Sequence, residues 1–321
     1  MTNWPNETRE QMIDRLIGAL NSLHDGDLAA EELILCGKSA IPSLEDFLLN
    51  SPPRTISVPR CRAVRALGEL GAHSTLINYF RNYERPQDSA VLFAEDAVRS
   101  AAARELARYP SADVFRVLLD AAWQRVTGGL IIALSQFQRL ETVPLFFQVL
   151  EDDLCREDAM NGLRKFPDAV RQFGILSIRG LTGVTLDGPS AICRRRAVLQ
   201  LLSEVGVARA DWPDLRAFLS TNDPAVVVSA ARIGFEAANE AEWPEIVLAL
   251  FKACSQFNSL QEGDAEEILD SHPGLAREIA SRIVCQKQIA GEKPNWASPY
   301  WRILNHASGR ALEQHPQAHA S

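Results

Sequence analysis

The sequence predicts an all-α fold made of stacked helical hairpins, the arrangement called an α-solenoid. Two phrases that recur along the chain predict it, and the composition agrees with them. The 321 residues are 46% hydrophobic but only 7% aromatic, with three methionines. This composition suits a continuous core of leucine and alanine between successive layers of helices.

The first phrase is led by proline, with an apolar residue two positions later and another four positions after that. Its five copies contain Pro42, Pro144, Pro213, Pro244 and Pro273. Proline is tolerated at the first position of a helix, because the N–H that it lacks would have no partner there. Apolar residues at i and i+4 lie on one face of a helix. Each copy therefore predicts the start of an amphipathic helix.

Further copies are expected between these prolines, because the wider gaps divide into units of about 34 residues. Ser74 and Asp113 begin two such copies, and Pro167 begins a weaker one. Serine and aspartate are good helix-start residues, so these copies keep the role of the proline with a different side chain.

The second phrase lies before the first and contains an arginine seven residues ahead of a leucine. Arg60, Arg99, Arg156 and Arg195 occupy the arginine position, which is expected near the start of the first helix of each hairpin. The predicted unit is therefore a helix, a tight turn and a second helix. About eight units are expected, at 25–50, 58–83, 95–124, 127–151, 155–179, 190–220, 223–254 and 262–286.

The two ends of the chain differ from the repeats. Residues 1–24 are expected to contain an N-terminal capping helix, and residues 25–290 form the repeat region. Residues 291–321 are expected to hold a C-terminal helix and a disordered polar tail, with Ser298 and Pro299 as the helix start. Trp301, Leu304 and Leu312 could cover the last repeat, or the helix could dock on another protein.

These phrases resemble those of the HEAT-repeat family, in particular the bacterial HEAT-like repeats also found in phycobilin lyases. The similarity rests on Val98-Arg99 with Leu106, on Arg60 with Leu67-Gly68, and on the proline-led second helices. It covers nearly the whole chain and implies a right-handed α-α superhelix of about eight hairpins, with second helices lining the concave surface. It implies no single function, because such repeats serve many unrelated roles.

Charge and cysteine content limit the classes of function. The net charge is −8 and the pI is about 5.4, which argues against general nucleic-acid or anionic-membrane binding, although a local basic groove stays possible. No two of the six cysteines are spaced as a metal-ligand pair, so buried thiols in a reducing cytoplasm are expected, without metal or cofactor. We expect no leader peptide and no membrane span.

The preferred hypothesis is a cytoplasmic scaffold that binds another protein through the concave face, and we find no catalytic signature. The second helices carry a mixed-charge set that is expected to face away from the core. Its members are Glu45, Asp46, Asn78, Arg116, Asp120, Gln148, Arg171, Gln172, Arg216 and Lys252. A surface of mixed charge suits a protein partner.

Two other functions stay open. A HEAT-like lyase or chaperone acting on a chromophore or a nucleic-acid base would use Arg116, Asp120 and Trp123, spaced i, i+4 and i+7 on one helix. A nucleic-acid-binding solenoid is the other, and the acidic balance opposes it.

Several local features also have two interpretations. The four repeated arginines form either a structural ladder or a row for binding phosphate. Trp212 and Trp243 are either staples that pack on their own helices or an aromatic platform. The long connections at 50–59, 81–94 and 180–190 are either tolerated insertions or a binding edge.

Overall fold

The computed structural model describes residues 7–178, 189–290 and 298–313. All the regular structure in these ranges is helical, and no β-strand occurs in them, which confirms the predicted all-α class. The helices fall into two compact units, Met1–Phe166 and Pro167–Ser321.

The first unit contains ten α-helices among its described residues. They are α1 (Arg9–Ala19), α2 (Gly26–Leu35), α3 (Ile41–Leu49), α4 (Val58–Glu69), α5 (His73–Arg81), α6 (Ser89–Ala107), α7 (Ala112–Gln124), α8 (Gly128–Gln136), α9 (Val143–Val149) and α10 (Arg156–Leu163). Helices α2, α4, α6, α8 and α10 form one row in which each contacts the next, and α3, α5 and α7 form a second row. Most contacts between helices therefore join elements that are near neighbours in the chain.

The second unit contains eight α-helices in its described part. They are α11 (Pro167–Ile178), α12 (Pro189–Val205), α13 (Trp212–Arg216), α14 (Pro224–Ala237), α15 (Trp243–Ala253), α16 (Ser259–Ser271), α17 (Pro273–Ala290) and α18 (Pro299–Glu313). Helices α12, α14, α16 and α18 contact one another in order, and α15 packs between α14 and α17. Helix α18 lies on α16 and α17 with Ile303 and Ala307 buried.

The proline-led phrases begin helices, as predicted. Each of the five prolines stands at the first or second position of α3, α9, α13, α15 or α17. Both apolar positions of every copy are buried: Leu44 and Leu48 are fully enclosed, for example, and so are Phe146 and Leu150. Burying one such side chain contributes roughly 1.5–3 kcal/mol, so the phrase fixes which face of each helix turns inward.

The predicted connection at 81–94 is wrong, because a helix occupies its second half. Asp88 caps α6, and its side chain accepts hydrogen bonds from the N–H groups of Ala90 and Val91 at 2.8 and 3.0 Å. Since α6 begins at Ser89, Arg99 lies in mid-helix and not near the start. Arg195 likewise lies well inside α12, which begins at Pro189.

The other two connections have different outcomes. The chain between α3 and α4 is non-helical over residues 50–57, close to the predicted connection. Most of the predicted connection at 180–190 lies outside the described residues, as does the tail from residue 314.

Candidate functional site

The repeated arginines bind the ends of neighbouring helices. Arg60 Nη2 donates to the carbonyl of Leu48 at 2.7 Å, and Arg156 Nε donates to that of Leu150 at 2.9 Å. Arg99 Nη2 donates to Ala121 O at 2.8 Å. These carbonyls belong to the last turns of helices, where the helix dipole favours a cation. Ala121 O also accepts a hydrogen bond from the N–H of Arg125 at 3.0 Å. Arg195 is also buried.

Three further cations do the same, and their role was not predicted. Arg62 Nη1 donates to Leu20 O at 2.9 Å, and Lys165 Nζ donates to Ser135 O at 2.9 Å. Arg171 Nε donates to Gly206 O at 3.1 Å, and the same side chain pairs with Asp168 at 2.7 Å. Arg171 is therefore held by its own unit, although the sequence placed it on a partner-binding face.

A buried ionic cluster lies between α4, α5 and α6. Glu95 accepts hydrogen bonds from Arg60 and from the hydroxyl of Tyr79, and all three side chains are buried. The Arg99 guanidinium stands 4.1 Å from the centre of the Tyr83 ring. Burial, and then the charge of Glu95, raises the pKa of Tyr79 well above its usual value. The cluster links α4, α5 and α6 within the first unit. Sequence analysis did not identify Glu95 as a partner of Arg60 and Tyr79, because these two residues belong to another hairpin.

The predicted binding residues of the first unit come from four helices, α3, α5, α7 and α9, and are exposed or half-buried. Glu45 accepts from the Thr75 hydroxyl at 3.2 Å, and Asp46 accepts from Asn50 at 2.8 Å. Asn78 is half-buried, while Arg116, Asp120 and Gln148 are exposed. Trp123, the aromatic member of the alternative catalytic set, is 48% exposed.

In the second unit, two of the predicted residues flank a groove that we call the α13–α15 groove, with a volume of about 490 Å³. Lys252 lines it, and Arg216 is paired to another lining residue, Glu245. One wall follows α13, where a short 3₁₀ turn, Ala217–Ser220, replaces the rest of the expected helix. The other wall is one face of α15. The lining residues are Leu219, Ser220, Thr221, Asn222, Pro224, Val227, Glu245, Leu248, Ala249, Lys252, Ala253 and Gln256.

The two cations at the α13–α15 groove differ in their partners: Arg216 forms ion pairs, and Lys252 forms none among the described residues. Arg216 pairs with Glu245 and also with Glu242 at 3.3 Å, and the bond to Glu245 raises the pKa of Arg216. Lys252 is exposed and has no ion-pair or hydrogen-bond partner among the described residues. The groove therefore offers one free positive charge above an apolar floor.

The two remaining predicted residues of this unit line a separate cavity of about 370 Å³. Arg171 and Gln172 border it together with the exposed side chain of Leu176. Because Arg171 is already bonded to α12, this cavity offers less free polar chemistry than the α13–α15 groove.

Neither tryptophan forms an open platform. Trp212 is buried, lies against Gly234 of α14, and donates from Nε1 to Glu242 at 3.3 Å. The Trp243 ring meets Phe235 and His272 edge-on, with ring centres 5.9 Å apart in both pairs. Both rings therefore contact helices other than their own. The predicted staple involved contacts within the same helix only.

The sequence also predicted that the cysteine thiols are buried and that no segment spans a membrane. Cys36, Cys155 and Cys254 are buried as expected, but Cys61 and Cys193 are half-buried and Cys285 is exposed. No group of three or more metal-binding side chains occurs among the residues that the structure describes. No helix in the same ranges is long and apolar enough to cross a membrane.

No family model matches the chain, and no curated protein or solved structure matches it either.

Proposed function

We propose that this protein is an interaction scaffold that binds a segment of another protein in the α13–α15 groove. The observation that carries the proposal is the combination, in one groove, of an apolar floor and free polar side chains. Leu219, Val227 and Leu248 supply apolar surface, and Ser220 and Lys252 supply free polar groups. The volume of about 490 Å³ is in the range of sites that hold ligands.

The proposal includes a HEAT-like arrangement of the hairpins within each unit. Two observations support it. Within each unit the first helix of each hairpin contacts the first helix of the next, and arginines donate hydrogen bonds to carbonyls at helix ends. In such an arrangement the second helices share one surface, and α15 belongs to them. The six free cysteines suit a reducing compartment such as the cytoplasm.

The alternative functions have less support. Arg116, Asp120 and Trp123 all project from α7 and are exposed, whereas a reactive site needs groups that converge from several elements in a sheltered pocket. Nucleic acid would need several free cations along one face, and Lys252 is the single cation that lines the α13–α15 groove.

Selection from a displayed library of random peptides tests the function without knowledge of the partner. The selected peptides would be measured against the wild type and against Ala249→Trp, which fills the groove. Ala112→Trp, at an exposed position of α7, is the control. We expect Ala249→Trp alone to abolish binding. Selected peptides that bind both variants as well as the wild type would refute a site in this groove.

A further inference from the structure

The face of α15 that lines the groove is polarised along its length. Glu245, Leu248 and Lys252 follow one another at helical spacing on this face, and Gln256 lies in the 3₁₀ turn Cys254–Gln256 that follows α15. From Glu245 to Lys252 the distance is about 10 Å at the rise of an α-helix, which matches about three residues of an extended chain. An extended segment of this length can contact the whole face.

The two charged side chains of this face differ in what they can offer a ligand. Glu245 is bonded to Arg216, so a basic ligand would have to compete with an existing ion pair. Lys252 is free, and so are the side chains of Ser220, Asn222 and Gln256. All four are hydrogen-bond donors, and the ammonium group bonds best to an anionic oxygen.

The apolar floor lies between these polar ends. Leu248 is 37% exposed, and Leu219 and Val227 are covered on most sides but border the groove. An apolar side chain of a ligand would cover Leu248, and a carboxylate on the neighbouring residue of the same ligand would bond to Lys252. The free charge and the floor together select for an acidic segment that also contains apolar residues.

We propose that the α13–α15 groove recognises a short acidic peptide segment, in which an Asp or Glu side chain bonds to Lys252 and an adjacent apolar side chain packs on Leu248. This inference rests on the proposed function and names the class of its partner. The protein is acidic overall, with a net charge of −8, so the preference comes from the local arrangement and not from the general charge.

The test uses three blocked ten-residue peptide probes with the same leucine pattern, carrying glutamate, glutamine or lysine between the leucines. Binding to the full chain is followed by fluorescence anisotropy. We expect the glutamate peptide to bind about three- to tenfold more tightly than the glutamine peptide, and added salt to reduce this difference. Lys252→Gln should remove the preference, and Lys252→Glu should reverse it toward the lysine peptide.

Lys38→Gln is the matched control, because Lys38 is an exposed lysine of the first unit. It should leave all three affinities unchanged. Equal binding of the three peptides, or a glutamate preference that survives Lys252→Gln, would overturn the inference. If none of the probes binds, the peptides selected by display decide: acidic consensus sequences support the inference, and neutral or basic ones refute it.

The two proposals fail in different ways. Peptide binding that is lost in Ala249→Trp but does not depend on the charge of the peptide would support the scaffold function and refute the acidic preference. Absence of any groove-dependent peptide would remove both. Circular dichroism of each variant ensures that lost binding reflects the groove and not unfolding.

Discussion

Buried arginine joins neighbouring helices in the first unit. Arg99 is fully buried, donates to Ala121 O at 2.8 Å and stacks on Tyr83, yet its Nε and Nη1 atoms find no partner among the described residues. Arg99→Ala leaves a cavity and removes one of the two hydrogen bonds that Ala121 O accepts, so we expect a loss of about 3 kcal/mol in the free energy of unfolding. Arg99→Met fills the space without burying unpaired donors, and its loss should be smaller.

Urea denaturation checks this expectation, with Arg104→Ala as the control. Arg104 lies on the exposed side of the same helix, and its replacement should change the free energy of unfolding by less than about 0.5 kcal/mol. Similar losses for Arg99→Ala and Arg104→Ala would show that the buried guanidinium has no special role.

The cysteine residues make a second prediction at this scale. Burial raises the pKa of Cys254 to about 12 and, with the nearby charge of Asp152, that of Cys155 to about 11. Since the thiolate is the reactive form, a raised pKa leaves little of it at pH 8. Exposed Cys285 should therefore react with maleimide first, at least tenfold faster than Cys155 or Cys254.

Peptide mapping by mass spectrometry measures the labelling of each thiol. In denaturant, all six cysteines should react at similar rates, which controls for the chemistry of the neighbouring residues. Labelling of Cys254 as fast as that of Cys285 in the native protein would mean that α15 opens readily at its end.

Close packing of helices depends on small residues at the contact points. A Cβ atom at Gly129 of α8 would lie 2.5 Å from the Cα and carbonyl oxygen of Ser100 in α6. Backbone atoms cannot yield as a flexible side chain does, so Gly129→Ala should lower the free energy of unfolding by about 1–3 kcal/mol. Gly263 in α16 has open space around it, and Gly263→Ala should raise stability by about 0.5–1 kcal/mol. Thermal denaturation of the two variants should give shifts of opposite sign, and equal signs would contradict the packing argument.

The short helix α13 shows that its sequence pattern predicts where a helix begins but not where it ends. Its phrase, from Pro213 to Leu219, follows the same pattern as the other proline-led copies, and both apolar positions are buried as expected. The helix nevertheless gives way after Arg216 to a 3₁₀ turn, and the α13–α15 groove borders that turn. Periodicity identifies the inward face of a helix, but it does not report how far the helix continues. The sequence placed Arg216 and Lys252 on outer faces without showing that a groove lies beside them.

For the whole molecule, local patterns predicted the helices and missed the contacts between them. Each of the eight predicted segments spans two helices, although α6 and α16 start earlier and α17 ends later than expected. The segment 155–179 is divided between the two compact units. Glu95 could not be recognised as a partner of Arg60, because 35 residues separate them. The capping of helix ends by Arg62 and Arg171 was missed for the same reason: it depends on the placement of a distant carbonyl.

In the proposed stack of hairpins, contacts between near neighbours predict that stability is distributed layer by layer. Leu67 of α4 is fully buried, and α4 packs on α2, α3, α5 and α6, whereas α10 packs on α8 and α9. Leu67→Ala should cost about 2–5 kcal/mol locally. In hydrogen–deuterium exchange we expect faster exchange in α2 to α6 and little change in α10. Leu163→Ala, at an equally buried position of α10, should give the reverse pattern. A uniform rise through the first unit in both variants would mean that its layers unfold as one cooperative body and not by successive layers.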